Sequence, residues 1–293
     1  MAVAYCLYGQ ARHLEEGATN ILASLSRMQP RPCRPVDFYV HSWRPQLNEA
    51  YFRSDWIGGE QIRESAPPHD LAQQLVKLFN PISMHLDEPY QFQQNVDSLR
   101  DTPAFPAAAP TQVKHMANTI SSVYSRWRVR VLLREAVSLR SLHYDLVFAS
   151  RFDFINPLTL DLAALNPARI YASNLHRVHG RLLLACDCVV TGLPLFLKLF
   201  NMYPRLRSIA SNTTLHAQME AVNEPPIIAA PETLLTMQAF TLVPFGQALE
   251  DLVVYTGAIP NYMTEAQRKA RANISHSGSG RPASFAFLSS RIQ

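Results

Sequence analysis

Apolar residues in this chain fall into short unbroken runs separated by stretches of helical spacing. Ala2–Tyr8 is the first run, and Gly9-Gln10 stops it. Runs of strand length with little alternation suit strands covered on both faces. The same pattern predicts strands at Val36–His41, Ile82–Leu86, Leu146–Ala149, Ile170–Ala172, Leu182–Val190 and Thr241–Val243. Helical spacing predicts helices over Glu15–Arg27, Asp70–Asn80, Thr111–Leu142 and Pro194–Tyr203. Another opens at Pro231-Glu232-Thr233, where Pro and an acidic first turn both favour a helix start. In the longest, Val123, Trp127, Val131 and Leu132-Leu133 lie along one apolar stripe.

Strands alternating with helices predict an α/β fold, a mostly parallel central sheet flanked by helices, in a single domain over residues 1–263. The long helix delivers the chain into the most apolar of the runs, the expected grammar of a βαβ crossover. From Thr264 the chain turns polar, and residues 264–293 read as a tail or lid. Asp101–Pro110 reads as a Pro/Ala loop.

Sheets of this kind gather ligands at the carboxyl ends of their strands. The candidates there are Gly9, Gln10 and Arg12 after the first strand, His41 at the end of the second, and Arg151 and Asp153 where the run Leu146–Ala149 gives out. Arg151 and Asp153 are two residues apart and point the same way in extended chain. They suit a diphosphate and its metal, or equally an ordinary loop ion pair. His41 reads either as part of that site or as a core histidine.

Composition narrows the class. The 293 residues are 47% hydrophobic and 17% charged, ordinary for a globular chain with a core. The net charge of +4 is mildly basic, yet the Arg residues are scattered apart from Arg126, Arg128 and Arg130. No nucleic-acid reading module accompanies them, so a nucleic-acid partner is not expected. Those three Arg read as a solvated helix face, with Arg128 the one that could reach a donor molecule, and Trp127 as core. Cys6, Cys33, Cys186 and Cys188 form no C-x-x-C pair, which gives zinc and redox motifs no support. His176 and His179 read as surface loop. Neither a signal peptide nor a membrane span is legible, so the expected setting is a soluble protein of the reducing cytoplasm. A glycine-rich phosphate loop is also missing after the first strand, where Gly9 stands alone, which argues against dinucleotide, nucleotidyl and methyl transfer.

Three blocks carry a resemblance: Leu7-Tyr8-Gly9-Gln10-Ala11-Arg12, Phe38-Tyr39-Val40-His41-Ser42-Trp43, and Tyr144 to Asp153. They resemble the S-G-Q-x-R, x-H-x-W and Y-D-x-V-x-R-x-R-x-D blocks of GT-A-type glycosyltransferases of bacteria and large DNA viruses. Tyr8 stands for the usual Ser and Ala149 for the first Arg of the third block. Cys186-Asp187-Cys188 and Pro231-Glu232 are similar to two later blocks. The resemblance implies a GT-A-like fold and transfer of a sugar from a nucleotide-sugar donor to a saccharide or glycoconjugate acceptor, assisted by Mn2+ or Mg2+. It implies that Gly9, Gln10 and Arg12 line the nucleotide pocket, Asp153 holds the metal as a DxD-like motif, and Arg151 orients the diphosphate. Asp187 and Glu232 would face sugar and acceptor. For an inverting reaction Asp187 is the first choice of base and Glu232 the second; otherwise they are a buried structural acid and a helix first-turn acid. The alternative function is a catalytically degenerate nucleotide- or glycan-binding protein of the same fold.

Overall fold

The structure, a computed structural model, describes residues 1–45, 52–54, 61–63, 68–90, 92–103, 110–153, 161–172, 175–178, 181–184, 188–222, 231–244 and 248–255. Asp187, His179 and the expected tail at 264–293 lie outside the described residues.

The chain begins β1 (Val3–Tyr8), α1 (Leu14–Ser26), β2 (Asp37–Trp43), β3 (Phe52–Ser54), β4 (Gln61–Arg63), α2 (Leu71–Phe79), β5 (Ser83–Asp87) and α3 (Gln93–Asp97). It continues with α4 (Pro110–Arg140), β6 (Leu146–Arg151), β7 (Ile170–Ala172), β8 (Leu175–Val178), β9 (Arg181–Leu184), β10 (Cys188–Thr191) and α5 (Leu193–Leu199). It ends with α6 (Leu206–Ala210), α7 (Thr213–Val222), α8 (Pro231–Phe240), α9 (Leu249–Leu252) and β11 (Val253–Tyr255), and short 3-10 turns stand at Leu162–Ala164 and Tyr203–Arg205.

Seven strands form one sheet in the order β11-β7-β10-β6-β1-β2-β5. β1 pairs in parallel with both β2 and β6, and β2 in parallel with β5. Only β10 runs against its neighbours β6 and β7. The expected α/β architecture with a mostly parallel, helix-flanked sheet is therefore present. The chain steps from β1 through β2 to β5, then α4 carries it back to the other side of β1 as β6. Between β1 and β6 the strand order reverses, and such a switch point is where an open α/β sheet forms its ligand crevice.

Both faces of the sheet are covered, which is why its strands carry apolar runs instead of alternation. Tyr5, Leu7, Phe38, Val40 and Phe148 pack with Leu14, Ala18 and Ile21 of α1 and with Leu71, Leu75 and Phe79 of α2. Cys6, Tyr8, Tyr39, Val147 and Ala149 pack on the other face with Ile120, Val123 and Leu133 of α4 and with Phe196 and Leu234 of α5 and α8. Burying each large apolar side chain of this kind contributes about 1.5–3 kcal/mol. At the amino edge of the sheet, Tyr39 donates to the Tyr144 hydroxyl and Tyr144 to Asp37, both at 2.7 Å. The Ala2 amide donates to Asp145 at 2.7 Å. The Tyr-Asp pair that opens the third sequence block is thus a staple between strand starts, at the end of β6 away from Arg151.

Two expected strands differ. Leu182–Val190 divides into β9 and β10, and β9 leaves the main sheet to pair with β8, which carries His176. Thr241–Val243 is a turn: the amides of Thr241, Leu242 and Val243 donate to carbonyls of the last turn of α8. Its β-branched residues are captured by the helix they follow, and β11 takes the edge position instead.

Candidate functional site

Strand register gathers the three early blocks. Tyr8, at the end of β1, lies opposite His41 on one side and Arg151 on the other. Residues level in parallel strands share a face, so all three side chains belong to the α4 side of the sheet. Gly9 follows with φ 96°, a left-handed conformation open to glycine without strain, and the chain turns there into Gln10. Gln10 is exposed and its Oε1 accepts from Arg12 Nε at 2.7 Å. Gly9, Gln10, Arg12, His41, Arg151 and Asp153 therefore stand along one carboxyl rim.

Arg151 and Asp153 bond each other through two parallel contacts, Nε to Oδ1 at 2.8 Å and Nη2 to Oδ2 at 2.5 Å. The carboxylate is the inner member, 9% exposed, and the guanidinium the outer one, 35% exposed. Phe152 between them is fully buried. Its carbonyl oxygen would lie 1.8 Å from a Cβ on Gly17, so α1 rests directly on this peptide.

A second group, centred on Asp87 at the end of β5, closes the β2–β5 side of the rim. Asp87 Oδ2 accepts from His41 Nε2 at 3.0 Å, Tyr124 hydroxyl at 2.9 Å and Arg128 Nε at 3.2 Å. Oδ1 accepts from His85 Nε2 at 2.7 Å. Partial burial would push the Asp87 carboxyl up, but the hydrogen bonds from His41 and Tyr124 outweigh it and hold it far below the usual carboxylate range. Burial keeps His41 below its ordinary 6.5 against the pull of the Asp87 hydrogen bond, so the ring is neutral at neutral pH. A neutral imidazole donating from Nε2 leaves Nδ1 as an acceptor, and that atom is buried without a partner among the described residues. Burial, then the Asp87 bond and charge, push the Tyr124 phenol up to about 12, which keeps it a donor.

The aromatic residues explain the second block's spacing. His41 and Trp43 meet edge to face at 5.4 Å, and Trp43 stacks on Tyr124 at 5.5 Å. Tyr124 also meets Trp127 and Tyr203, and Trp127 is half-buried there instead of in the core. With Tyr124 and Arg128 at the rim, the helix residues before them run on past it for about 20 Å at 1.5 Å per residue.

The expected solvated Arg face is corrected. Arg126 is fully buried, donates to Ser122 Oγ at 2.8 Å, and holds its guanidinium carbon 4.8 Å from the centre of the Tyr8 ring. Arg130 donates to the Leu197 carbonyl at 2.5 Å, and burial lowers its pKa. Arg128 is partly buried on Asp87. The helix crosses under α5 and over the sheet, so three positions that look like an outer face in sequence are spread over contacts.

Glu232 lies in the first turn of α8, a helix buried from Thr233 to Ala239, and its carbonyl accepts from Thr236 at 2.7 Å. The strand after Asp187 begins at Cys188, opposite Ser150 and next to Arg151.

A divalent ion on a diphosphate takes hard oxygen donors. Among the described residues no three His, Cys, Asp or Glu are grouped to hold a metal. Both oxygens of Asp153 are engaged by Arg151. The donor set described at this rim does not fit the expected ion. No helix of the described residues is long and apolar enough to cross a membrane.

Neither a protein-family model nor a curated protein matches the chain. Among solved structures it is similar to the apo form of mouse xyloside xylosyltransferase 1, with 11% identity, a TM-score of 0.38 and 82% of each chain covered. A likeness at that level carries no argument about activity.

Proposed function

We propose that the chain transfers a sugar from a nucleotide-sugar to a saccharide or glycoconjugate acceptor. The observation that carries this reading is the register of Tyr8 with both His41 and Arg151. Three sequence blocks that resemble one family, far apart in the chain, meet at one rim beside the switch point.

In this reading Gly9, Gln10 and Arg12 line the nucleotide pocket. Arg128, anchored to Asp87 through Nε, turns its remaining donors toward the donor molecule. Arg151 faces the diphosphate. The acceptor oxygen bonds to the anomeric carbon as the bond from that carbon to the diphosphate breaks. The electron pair leaves with the nucleoside diphosphate, and guanidinium donors stabilise the charge that develops there. In an inverting reaction the acceptor proton passes to one carboxylate, for which Asp187 is the first choice and Glu232 the second.

The test is a hydrolysis screen over a panel of nucleotide-sugars, reading released nucleoside diphosphate, with Arg151→Ala as control. One donor slowly hydrolysed by the native protein and spared by the variant supports the reading. Binding without hydrolysis, under any acceptor supplied, moves the chain to the non-catalytic alternative. A panel neither bound nor cleaved removes sugar transfer altogether.

A further inference from the structure

Resting on the sugar-transfer reading, we propose that Arg128 reads the base of the donor nucleotide and selects a keto base (guanine, uracil or thymine) over an amino base (adenine or cytosine). The first ground is the state of its guanidinium. Nε is anchored to Asp87 Oδ2 at 3.2 Å, and Asp87 is the only hydrogen-bond partner of Arg128 among the described residues. The side chain keeps 21% exposure, and neither Nη group is among the buried polar atoms left without a partner. The Nη edge therefore opens to solvent with its donors unused.

The anchor is firm. His41, Tyr124 and His85 also donate to Asp87, so four bonds meet the roughly four lone-pair sites of a carboxylate. Asp87 is thus a positioning residue that fixes the angle of the fork.

Place along the rim supplies the second ground. In the strand order β10-β6-β1-β2-β5, Asp87 ends β5 and Arg151 ends β6, three strand spacings or about 14 Å apart. The turn from Gly9 to Arg12 follows β1 between them. With the diphosphate at Arg151 and the nucleotide over that turn, the part that extends to Arg128 is the base. The sugar end points the other way, toward β10, which Asp187 precedes in sequence.

The third ground is the chemistry of the edge on offer. A guanidinium donates and accepts nothing. Guanine O6 and N7 and the O4 of uracil or thymine are acceptors, whereas adenine N6 and cytosine N4 would set a donor against a donor. Trp127, half-buried with its ring centre 5.9 Å from the Arg128 guanidinium carbon, gives the flat base an aromatic wall beside the fork.

Calorimetric titration of the full chain with uridine, cytidine, thymidine, guanosine and adenosine diphosphates, in a buffer containing manganese, tests this. The native protein is expected to bind the keto member of one pair, uridine over cytidine or guanosine over adenosine, on the order of tenfold more tightly. Arg128→Met closes that gap by weakening the keto member and leaves the amino member where it was. The proposal fails if the native protein prefers cytidine or adenosine diphosphate or treats each pair alike. It fails as well if the gap survives Arg128→Met, or if that variant, folded by its melting curve, weakens both members equally, which would place Arg128 on the phosphates. Absence of binding by all five refutes the sugar-transfer reading itself, a distinct result. The comparison within pairs uses native protein, so a misfolded variant does not blur it.

Discussion

A side-chain carbon on Gly17 would overlap the carbonyl oxygen of Phe152 at 1.8 Å. The first helix therefore touches the turn carrying Arg151 and Asp153 through bare backbone. In an open helix interior Gly→Ala stabilises by about 0.5–1 kcal/mol. Here the sign reverses: Gly17→Ala is expected to cost about 1–3 kcal/mol, the range for overpacking. Urea unfolding measures it, and a gain in stability would show that the contact is looser than described.

Asp87 accepts four hydrogen bonds, three of them at Oδ2. Asp87→Ala strands His41, Tyr124 and Arg128 together, and the expected loss is about 2–3 kcal/mol. Arg128→Met should cost less, because Arg128 is partly exposed and its loss leaves the other donors on Asp87 in place. Chemical denaturation of the two variants orders them.

His41 gives the fold a pH slope. Its folded pKa lies below 6.5, so in the window beneath 6.5 the unfolded chain binds the extra proton and the folded chain resists it. The stability is fully present above pH 6.5 and declines as the pH falls through that window toward the folded value. Asp87, His85 and Arg128 surround the ring, and Asp87 stays ionised throughout because its own pKa is held so low. Melting temperature recorded from neutral to mildly acid pH should fall, and a His41→Gln variant should flatten the fall. An unchanged slope in that variant would assign the effect to another group.

Tyr8 and Arg126 couple a strand end to the buried side of α4. A double-mutant cycle of Tyr8→Leu and Arg126→Met is expected to return about 1–2 kcal/mol of coupling, the scale of a desolvated cation over a ring. Additive single effects would show that the ring and the guanidinium only share space.

The strands β1, β2 and β6 were legible because burial on two faces leaves an unbroken apolar signature, and their ends marked Gly9, His41 and Arg151 at once. The Arg151–Asp153 contact followed from a spacing of two. Asp87 was not legible, since three of its four partners lie 37, 41 and 46 positions away, and its local bond from His85 does not reveal them. Arg126 misled for a related reason: a charged residue on a helix reads as solvated until the element beneath it is known. The split of Leu182–Val190 was hidden because one apolar run served two sheets. Asp87 had one faint signal, an acid closing an apolar segment that ends level with Trp43 in the neighbouring strand.

Because β10 runs against its neighbours, it meets the rim with its first residue, Cys188, while β1, β2 and β6 meet it with their last. Lengthening the chain just ahead of Cys188 therefore reshapes the rim, and lengthening it after Thr191 is felt at the opposite edge. The last residues of β1 and β6, Tyr8 and Arg151, and the first of β10, Cys188, thus mark one rim. A change of length on the rim side of these three strands leaves the register of the sheet untouched.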